Sequence, residues 1–186
     1  MSTNRQLING IDVDALKQFA GSVADDSSNG MTQFQVTTDW LRGTQSSSSI
    51  KQLKLGEQTL ERDFEILIDE PAELLGENLA ANPQEYLMAA LNACMVVGYV
   101  AAASLENVQL DQLRIQTEGT LDLRGFLGLD ENTKPGYEEL QYKVTVSGNG
   151  TSEQWQRIHE TVTRTSPNRW NVANAIRLNS ELIIEE

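Results

Sequence analysis

A capping signal followed by a long uncharged run is the feature that most constrains the fold. Asn82 suits the N-cap, Pro83 suits the first helical position, and Glu85 stands where the carboxylate of a capping box belongs. The run that follows, 87–105, contains no charged residue. A helix that is apolar on every side has to be surrounded by protein or by lipid.

Composition distinguishes between these two surroundings. The run is just long enough to span a bilayer, but it is dominated by alanine, contains Asn92, and is flanked by Glu85 and Glu106 rather than by basic residues. These features favour a helix buried in a soluble protein. The many small residues indicate close packing against a sheet or a second helix.

Alternation of apolar and polar residues before this helix predicts a β-meander. The strand-like segments are 31–40, 50–55 and 64–68. We interpret the serine tract 46–49 as a polar linker or a hairpin tip. A short amphipathic helix over 12–23 precedes the strands. We take residues 1–30 as an N-terminal helical segment and residues 31–186 as one domain, because 186 residues allow one domain of ordinary size.

After the long helix, the pattern predicts a hairpin, a helix and a last strand. The hairpin strands cover 113–123 and 137–146, joined by a glycine-containing loop. A helix capped by Thr151 or Ser152 runs to about residue 163, where Ser166 and Pro167 interrupt it, and the segment 175–184 returns to a strand. This order of elements predicts an α+β fold.

The charge balance excludes several kinds of partner. Lys and Arg number 14 against 27 Asp and Glu, which gives a formal net charge of −13. A protein that binds nucleic acid or an anionic membrane needs a basic surface, and the sequence has no run of basic residues. We expect neither partner. The first residues lack the apolar segment of a secretory signal, so the predicted location is the cytoplasm.

The single cysteine, Cys94, and the single histidine, His159, limit the chemistry further. One cysteine forms no internal disulfide and no CxxC pair, and these two residues are too few for a Cys/His zinc site. We predict neither a metal nor a cofactor. His159 lies among charged residues of a predicted helix, which indicates a solvated surface position. With one histidine and no GxSxG motif, a Ser-His-Asp hydrolase has little support.

Cys94 is the main candidate for chemistry, and two interpretations of it stay open. A cysteine in a buried helix is often a small apolar residue that fills the core. A reactive thiol instead needs a cation or a helix N-terminus that stabilises the thiolate, together with access to solvent. Sequence position alone does not distinguish these interpretations.

Several motifs lie around and beyond the cysteine. They are DEPAELLGEN, NPQEYLMAALNACM, DLRGFLGL, KPGYEEL and, about seventy positions after Cys94, TSPNRW. Together they resemble the OsmC/Ohr family, in its OsmC-like branch, over roughly residues 31–186. The resemblance implies the OsmC-like fold, an intertwined homodimer in which β-sheets enclose a long buried central helix from each chain.

The resemblance also implies a candidate site. In the peroxidases of this family, a cysteine attacks an organic hydroperoxide, an arginine and a glutamate hold its thiolate, and a second cysteine before a proline resolves the sulfenic acid. Cys94 matches the first cysteine, whereas Ser166 stands in the place of the second and Gln84 in that of the glutamate. Glu85, nine positions before Cys94, lies about 180° from it around a helix, which favours a capping role for Glu85.

Two residues are candidates for the arginine. Arg42, in the motif WLRG, is the nearest match, although it could equally be a solvated turn residue. Arg124, in a glycine-flanked loop, is the substitute. The candidate site therefore comprises Cys94, Arg42, Gln84 and Glu85.

Two functions follow from the resemblance. The first is a thiol-dependent peroxidase of the stress response that reduces small apolar organic hydroperoxides and is recycled by an external thiol reductant. The alternative is a protein on the same scaffold that binds a small ligand without turnover. A cysteine with a purely structural role remains open as well. The missing glutamate and second cysteine are the departures from the peroxidase pattern on which this choice depends.

Overall fold

Residues 7–185 are described by the computed structural model, and this part of the chain contains eight β-strands and five α-helices. The strands are β1 (Leu7–Ile8), β2 (Ile11–Asp12), β3 (Thr32–Phe34), β4 (Thr37–Arg42), β5 (Gln45–Leu55), β6 (Gln58–Ile68), β7 (Leu110–Glu118) and β8 (Gln141–Gly148). The helices are α1 (Val13–Asp25), α2 (Pro83–Leu105), α3 (Leu123–Phe126), α4 (Ser152–Thr165) and α5 (Pro167–Ala173). The predicted α+β class is confirmed.

The chain divides into two compact units, and the boundary lies inside α2. One unit ends at Ala89 and the other begins at Ala90. The division at residue 30 proposed from the sequence remains a prediction.

The first unit is built around an antiparallel sheet with β5 at its centre. β3 and β4 pair with one edge of β5, and β6 pairs with the other edge. The sheet is therefore the predicted β-meander, except that its first strand is interrupted at residues 35 and 36. A separate hairpin of β1 and β2 leads into the predicted N-terminal helix α1, whose first turn is capped by the side chain of Asp12.

The interpretation of the serine tract 46–49 was wrong, because these residues form the first half of β5. They pair with β4 on one side and with β6 on the other. Ser48 is buried, and its hydroxyl oxygen lies 2.7 Å from that of Thr38 on the neighbouring strand. Ladder hydrogen bonds on both edges outweigh the turn preference of serine, since β propensity depends strongly on the neighbouring strands.

The core of the second unit lies on one face of α2. The buried cluster consists of Leu91, Met95, Tyr99, Ala103, Val108, Ile158 and Val162. Its first four members follow each other at four-residue spacing and so share one helix face. The last two belong to α4, and partly buried residues of β7 and β8 complete the cluster. Gly98 allows α4 to approach closely, because a Cβ atom there would lie 3.3 Å from a methyl group of Val162.

The opposite face of α2 is exposed although it is apolar. Val97 lies about 200° around the helix from the buried Met95 and is 68% exposed, and Ala90 and Ala93 are exposed as well. By length and hydropathy α2 could cross a membrane, but a core helix meets the same criteria, and one face of α2 packs against a protein core. The prediction that sheets enclose α2 on all sides remains a prediction.

The junction between α4 and α5 follows the sequence closely. Thr151 and Gln154 form a capping box at the start of α4, each side chain accepting the backbone N–H of the other residue. α4 ends at Thr165, and Pro167 occupies the first position of α5, where its missing N–H costs no hydrogen bond. The predicted interruption at Ser166 and Pro167 is confirmed.

The last predicted strand, 175–184, is wrong for the described chain. Residues 175–185 have no regular secondary structure. Leu178 and Leu182 are 88% and 85% exposed, and Ile184 is exposed too. The apolar alternation is present, but a strand also needs a neighbouring strand to receive its hydrogen bonds. The described chain does not pair this segment with another strand.

Candidate functional site

Cys94 lies in the middle of α2, half-buried, at the edge of the face that packs into the core. The hydroxyl of Ser166 donates a hydrogen bond to the Cys94 sulfur, with an oxygen-to-sulfur distance of 3.5 Å. Ser166 is only 4% exposed. The chain thus brings together two residues that are separated by 72 positions, as the sequence motifs suggested.

The backbone at the α4–α5 junction explains why this serine faces the thiol. The Ser166 N–H donates to the Val162 carbonyl at 2.9 Å, and the Ser166 carbonyl accepts from the Trp170 N–H at 3.0 Å. Both backbone groups are therefore satisfied by the two helices. Ser166 stands at the N-cap position of α5, yet its side chain makes no capping hydrogen bond there. The Ser166 hydroxyl donates its hydrogen bond to the Cys94 sulfur instead.

Two neighbours fix α5 in this position, and sequence reasoning did not identify either of them. The Asn168 side-chain amide donates to the Ala90 carbonyl at 2.9 Å, one helical turn before Cys94. The Arg169 guanidinium donates to the Tyr142 hydroxyl at 3.0 Å and to the Thr163 carbonyl at 2.9 Å. The motif TSPNRW was the available signal, because its polar side chains directly follow the Ser-Pro pair.

The opposite side of the same helical segment is tied to β7. The Thr117 hydroxyl donates to the side-chain oxygen of Asn92 at 2.5 Å, and the Asn92 amide donates to the Ile115 carbonyl at 3.5 Å. The polar residue inside the apolar run is thus satisfied by the hairpin. Asn92 and Asn168 together fix the turn of α2 that carries Cys94.

His159 is not the solvated histidine that the sequence indicated. It is half-buried, and its Nδ1 atom is hydrogen-bonded to the hydroxyl of the buried Tyr99. Burial, with a smaller contribution from Tyr142, raises the pKa of Tyr99 to about 12, so the phenol stays protonated at neutral pH. The protonated phenol is able to donate this hydrogen bond to Nδ1. His159 is half-buried rather than solvated because α4 packs the side that carries His159 against α2.

The first unit carries the other predicted site residues. Arg42 ends β4, and one of its terminal nitrogens donates to both carboxylate oxygens of Glu77, at 2.6 Å for Oε1. The Gln45 side chain accepts from Arg42 Nε at 3.4 Å. Arg42 is therefore an ion-paired residue next to the β4–β5 turn. No motif in the sequence identified Glu77 as its partner.

Glu85 and Gln84 lie at the start of α2. The Glu85 carboxylate accepts the Asn82 N–H at 2.8 Å, and the Asn82 side-chain oxygen accepts the Glu85 N–H at 2.9 Å. This is the reciprocal arrangement of a capping box, which supports the capping interpretation of Glu85. Gln84, on the same turn, is exposed. A part for either residue in catalysis remains a prediction.

Arg124, the substitute arginine, is held by its own loop. Its guanidinium donates to Asp122 at 2.6 Å and lies 3.8 Å from Asp130. The hydrogen bond to the Arg124 side chain is the main reason that the pKa of Asp122 is below its ordinary value. Two carboxylates therefore share the charge of this arginine and stabilise the loop around α3.

Comparison with known proteins now decides the family. The sequence model of the OsmC-like protein family matches residues 76–181, which is more than half of the chain. The chain belongs to the OsmC-like family. The match includes α2 with its cysteine, the β7–β8 hairpin and both helices that present Ser166.

Solved structures agree with this assignment at the level of the fold. An OsmC-like protein from Mycoplasma pneumoniae is 12% identical, with 76% of this chain and 87% of that chain covered and a TM-score of 0.60. An OsmC-like protein of unknown function from Vibrio cholerae is 15% identical, with coverage of 75% and 92% and a TM-score of 0.54. No curated protein sequence matches the chain.

Substitutions at the start of α2 distinguish capping from catalysis. We expect Asn82→Ala to lower the free energy of unfolding by about 1 kcal/mol, because an N-cap acceptor is lost. We expect Glu85→Gln to change it by less than about 0.5 kcal/mol, since Gln also completes a capping box. Urea titrations monitored by circular dichroism measure both values. If Glu85→Gln leaves stability intact but slows Cys94 alkylation severalfold, Glu85 acts on the thiol and the capping interpretation is incomplete.

Proposed function

We propose that this protein is a thiol peroxidase that reduces organic hydroperoxides through Cys94. The observation that carries the proposal is the hydrogen bond from the buried Ser166 hydroxyl to the Cys94 sulfur at 3.5 Å. Sulfur accepts hydrogen bonds weakly as a thiol, and a charged acceptor makes a stronger bond. A hydroxyl donor at this distance therefore favours the thiolate, which is the nucleophilic form.

The proposed reaction follows from ordinary thiol chemistry. The Cys94 thiolate attacks the outer oxygen of the hydroperoxide, a sulfur–oxygen bond forms and the oxygen–oxygen bond breaks. The leaving alkoxide takes a proton from water, and the cysteine becomes a sulfenic acid. Sulfur has then lost the two electrons that the peroxide gained.

Regeneration needs a reductant from outside the chain, because the sequence has one cysteine. An external thiol condenses with the sulfenic acid, releasing water and leaving a mixed disulfide on Cys94. A second external thiol attacks this disulfide and restores the thiol. Ser166 cannot form a disulfide, so its part in this cycle is to hydrogen-bond the sulfur.

Arg42 is proposed as the cation that stabilises the thiolate, in the way that the family resemblance implies. Its ion pair with Glu77 supports this assignment, because the guanidinium is already held by a carboxylate, as in the arginine–glutamate arrangement of the peroxidases. Gln84 stands in the place of the glutamate of the peroxidases, and its amide cannot supply the negative charge of that glutamate.

We further propose that the active form is an intertwined homodimer, with α2 of each copy enclosed by sheets. Three apolar surfaces support it: the exposed α2 face around Val97, the exposed Trp40 and Phe64 of the sheet, and the segment 175–185. Apolar surfaces of this extent are typical of interaction sites. A second copy would cover each of them. A cytoplasmic location remains a prediction.

Oxidation of Cys94 tests the peroxidase proposal. After one equivalent of cumene hydroperoxide, we expect mass spectrometry to show one added oxygen on Cys94 that disappears with a small thiol, because the chain has no second thiol to trap it. In Ser166→Cys the 3.5 Å contact should give an internal 94–166 disulfide instead. If Cys94 stays reduced while a known peroxidase is oxidised, the proposal is wrong and ligand binding without turnover becomes the better explanation.

Alkylation kinetics test the arginine. We expect Arg42→Ala to slow the reaction of Cys94 with iodoacetamide at neutral pH by about tenfold, because a nearby guanidinium favours the thiolate. Arg124→Ala, the matched control, should change the rate little. If Arg124→Ala slows the alkylation of Cys94 while Arg42→Ala leaves its rate unchanged, Arg124 in the loop around α3 is the residue that stabilises the thiolate. Equal rates in all three proteins would leave the thiol without an arginine partner.

Light scattering tests the dimer. We expect about twice the chain mass of 20.6 kDa at micromolar concentration. Val97→Asp should yield monomer, since a charge would be placed in an apolar interface. Gln18→Asp, on the exposed surface of α1, is the control and should leave the mass unchanged. A stable wild-type monomer would contradict the proposal.

A further inference from the structure

A buried carboxylate lies behind the ion pair of Arg42. Asp69 directly follows β6 and is only 1% exposed. Its Oδ1 atom accepts the Thr44 hydroxyl at 2.7 Å and the Glu70 N–H at 2.8 Å. Its Oδ2 atom accepts the N–H groups of Glu77 and Leu79, both at 3.1 Å. Four donors satisfy a charge that would otherwise be costly to bury.

The donors come from two separate pieces of backbone. Thr44 belongs to the β4–β5 turn, immediately between Arg42 and Gln45. Glu77 and Leu79 belong to the loop that returns from β6 to α2. One carboxylate therefore fixes the positions of both segments that carry the ion pair, and it binds the backbone N–H of Glu77 itself.

The loop needs further constraints to bring Glu77 back to the sheet. The Asn78 N–H donates to the Glu70 carbonyl at 3.0 Å, and Leu75 adopts a left-handed backbone with φ of 69°. A Cβ atom at Gly76 would lie 1.7 Å from the Glu70 oxygen, so no side chain fits there. These features make the loop a defined turn, in which the direction of Glu77 is fixed by the backbone.

This fixation matters because the ion pair itself is weakly held. The side chains of Arg42 and Glu77 are 66% and 51% exposed. An exposed pair contributes little stability, because solvent screens it and two long side chains have to be ordered. A carboxylate whose backbone is already fixed loses less conformational freedom when it forms the pair.

Hydrogen bonding keeps Asp69 ionised. Burial alone raises the pKa of Asp69, but the Thr44 hydroxyl and the N–H groups of Leu79, Glu70 and Glu77 favour the anion and lower the pKa to about 2. The ordinary value is 3.8. The charge is therefore present throughout the pH range in which a thiol peroxidase would work.

We infer that Asp69 and Glu77 are positioning residues for Arg42, with Glu77 supplying from the loop the carboxylate that the chain lacks at Gln84. The inference rests on the proposed function, in which Arg42 stabilises the Cys94 thiolate. Asp69 fixes the loop and Glu77 holds the guanidinium, so both residues act through Arg42.

A double-mutant cycle on Cys94 alkylation tests the inference. Arg42→Ala should slow alkylation about tenfold in the wild-type and Glu73→Gln backgrounds but less than about threefold in Glu77→Gln and Asp69→Asn, because the guanidinium is no longer positioned in the last two. Glu73 is an exposed acidic residue of the same loop and is the matched control. An undiminished tenfold effect of Arg42→Ala in Glu77→Gln would overturn the inference, even if Asp69→Asn fails to fold.

A second measurement separates this inference from the proposed function. Nuclear magnetic resonance of the Arg42 Nε–H group should show faster exchange with water in Glu77→Gln and Asp69→Asn than in wild type or Glu73→Gln. If Arg42→Ala never alters alkylation but these exchange rates rise as expected, the thiolate role of Arg42 fails and the positioning stands. If exchange is the same in all four proteins, the positioning itself is refuted.

The charge of Asp69 also predicts how its contribution to stability depends on pH. Because the folded pKa of Asp69, about 2, is below the ordinary 3.8, its stabilising charge is present above about pH 4 and is lost as the pH falls towards 2. The difference in the free energy of unfolding between wild type and Asp69→Asn should therefore be largest above about pH 4 and should shrink as the pH falls towards 2. A difference that stays constant over this interval would count against the role of Asp69.

Discussion

Packing of α2 is the constraint on which the second unit depends. The helix contains almost no polar side chains, so each face must find protein or leave apolar surface in water. Within the chain, the face of Leu91, Met95 and Tyr99 is buried against α4 and the β7–β8 hairpin. Burying a large apolar side chain stabilises a fold by roughly 1.5–3 kcal/mol. The remaining apolar face is what makes a second copy the natural partner in our proposal.

The same packing prepares the surroundings of Cys94. α4 crosses α2 closely at Gly98, and the chain then turns at Ser166 and Pro167, so that the serine hydroxyl meets the sulfur. Asn168 and Asn92 tie this turn of α2 to α5 and β7. A half-buried thiol with a fixed hydroxyl donor differs from a cysteine that merely fills a core. It is partly accessible to solvent, and its sulfur accepts a hydrogen bond from a buried hydroxyl.

In the first unit, a buried charge rather than an apolar helix face holds the structure around Arg42 in place. Asp69 collects donors from two backbone segments and thereby defines where Glu77 stands next to Arg42. Buried carboxylates persist when they are fully hydrogen-bonded, and they then act as rigid points in a loop. The loop between β6 and α2 supplies Glu77 as the partner of Arg42.

Features that depend on neighbours within about four residues could be predicted from the amino-acid sequence. The caps at Asn82 and Thr151, the helix break at Pro167 and the α+β order follow from local hydrogen bonds and periodicity. Packing between distant elements was needed to show that the serine tract pairs as a strand and that His159 is hydrogen-bonded to the buried Tyr99. It was also needed to show that residues 175–185 have no strand partner in the described chain. Arg42 and Glu77 are 35 positions apart, and Ser166 and Cys94 are 72 apart. Such contacts depend on how whole elements pack, which no local pattern encodes.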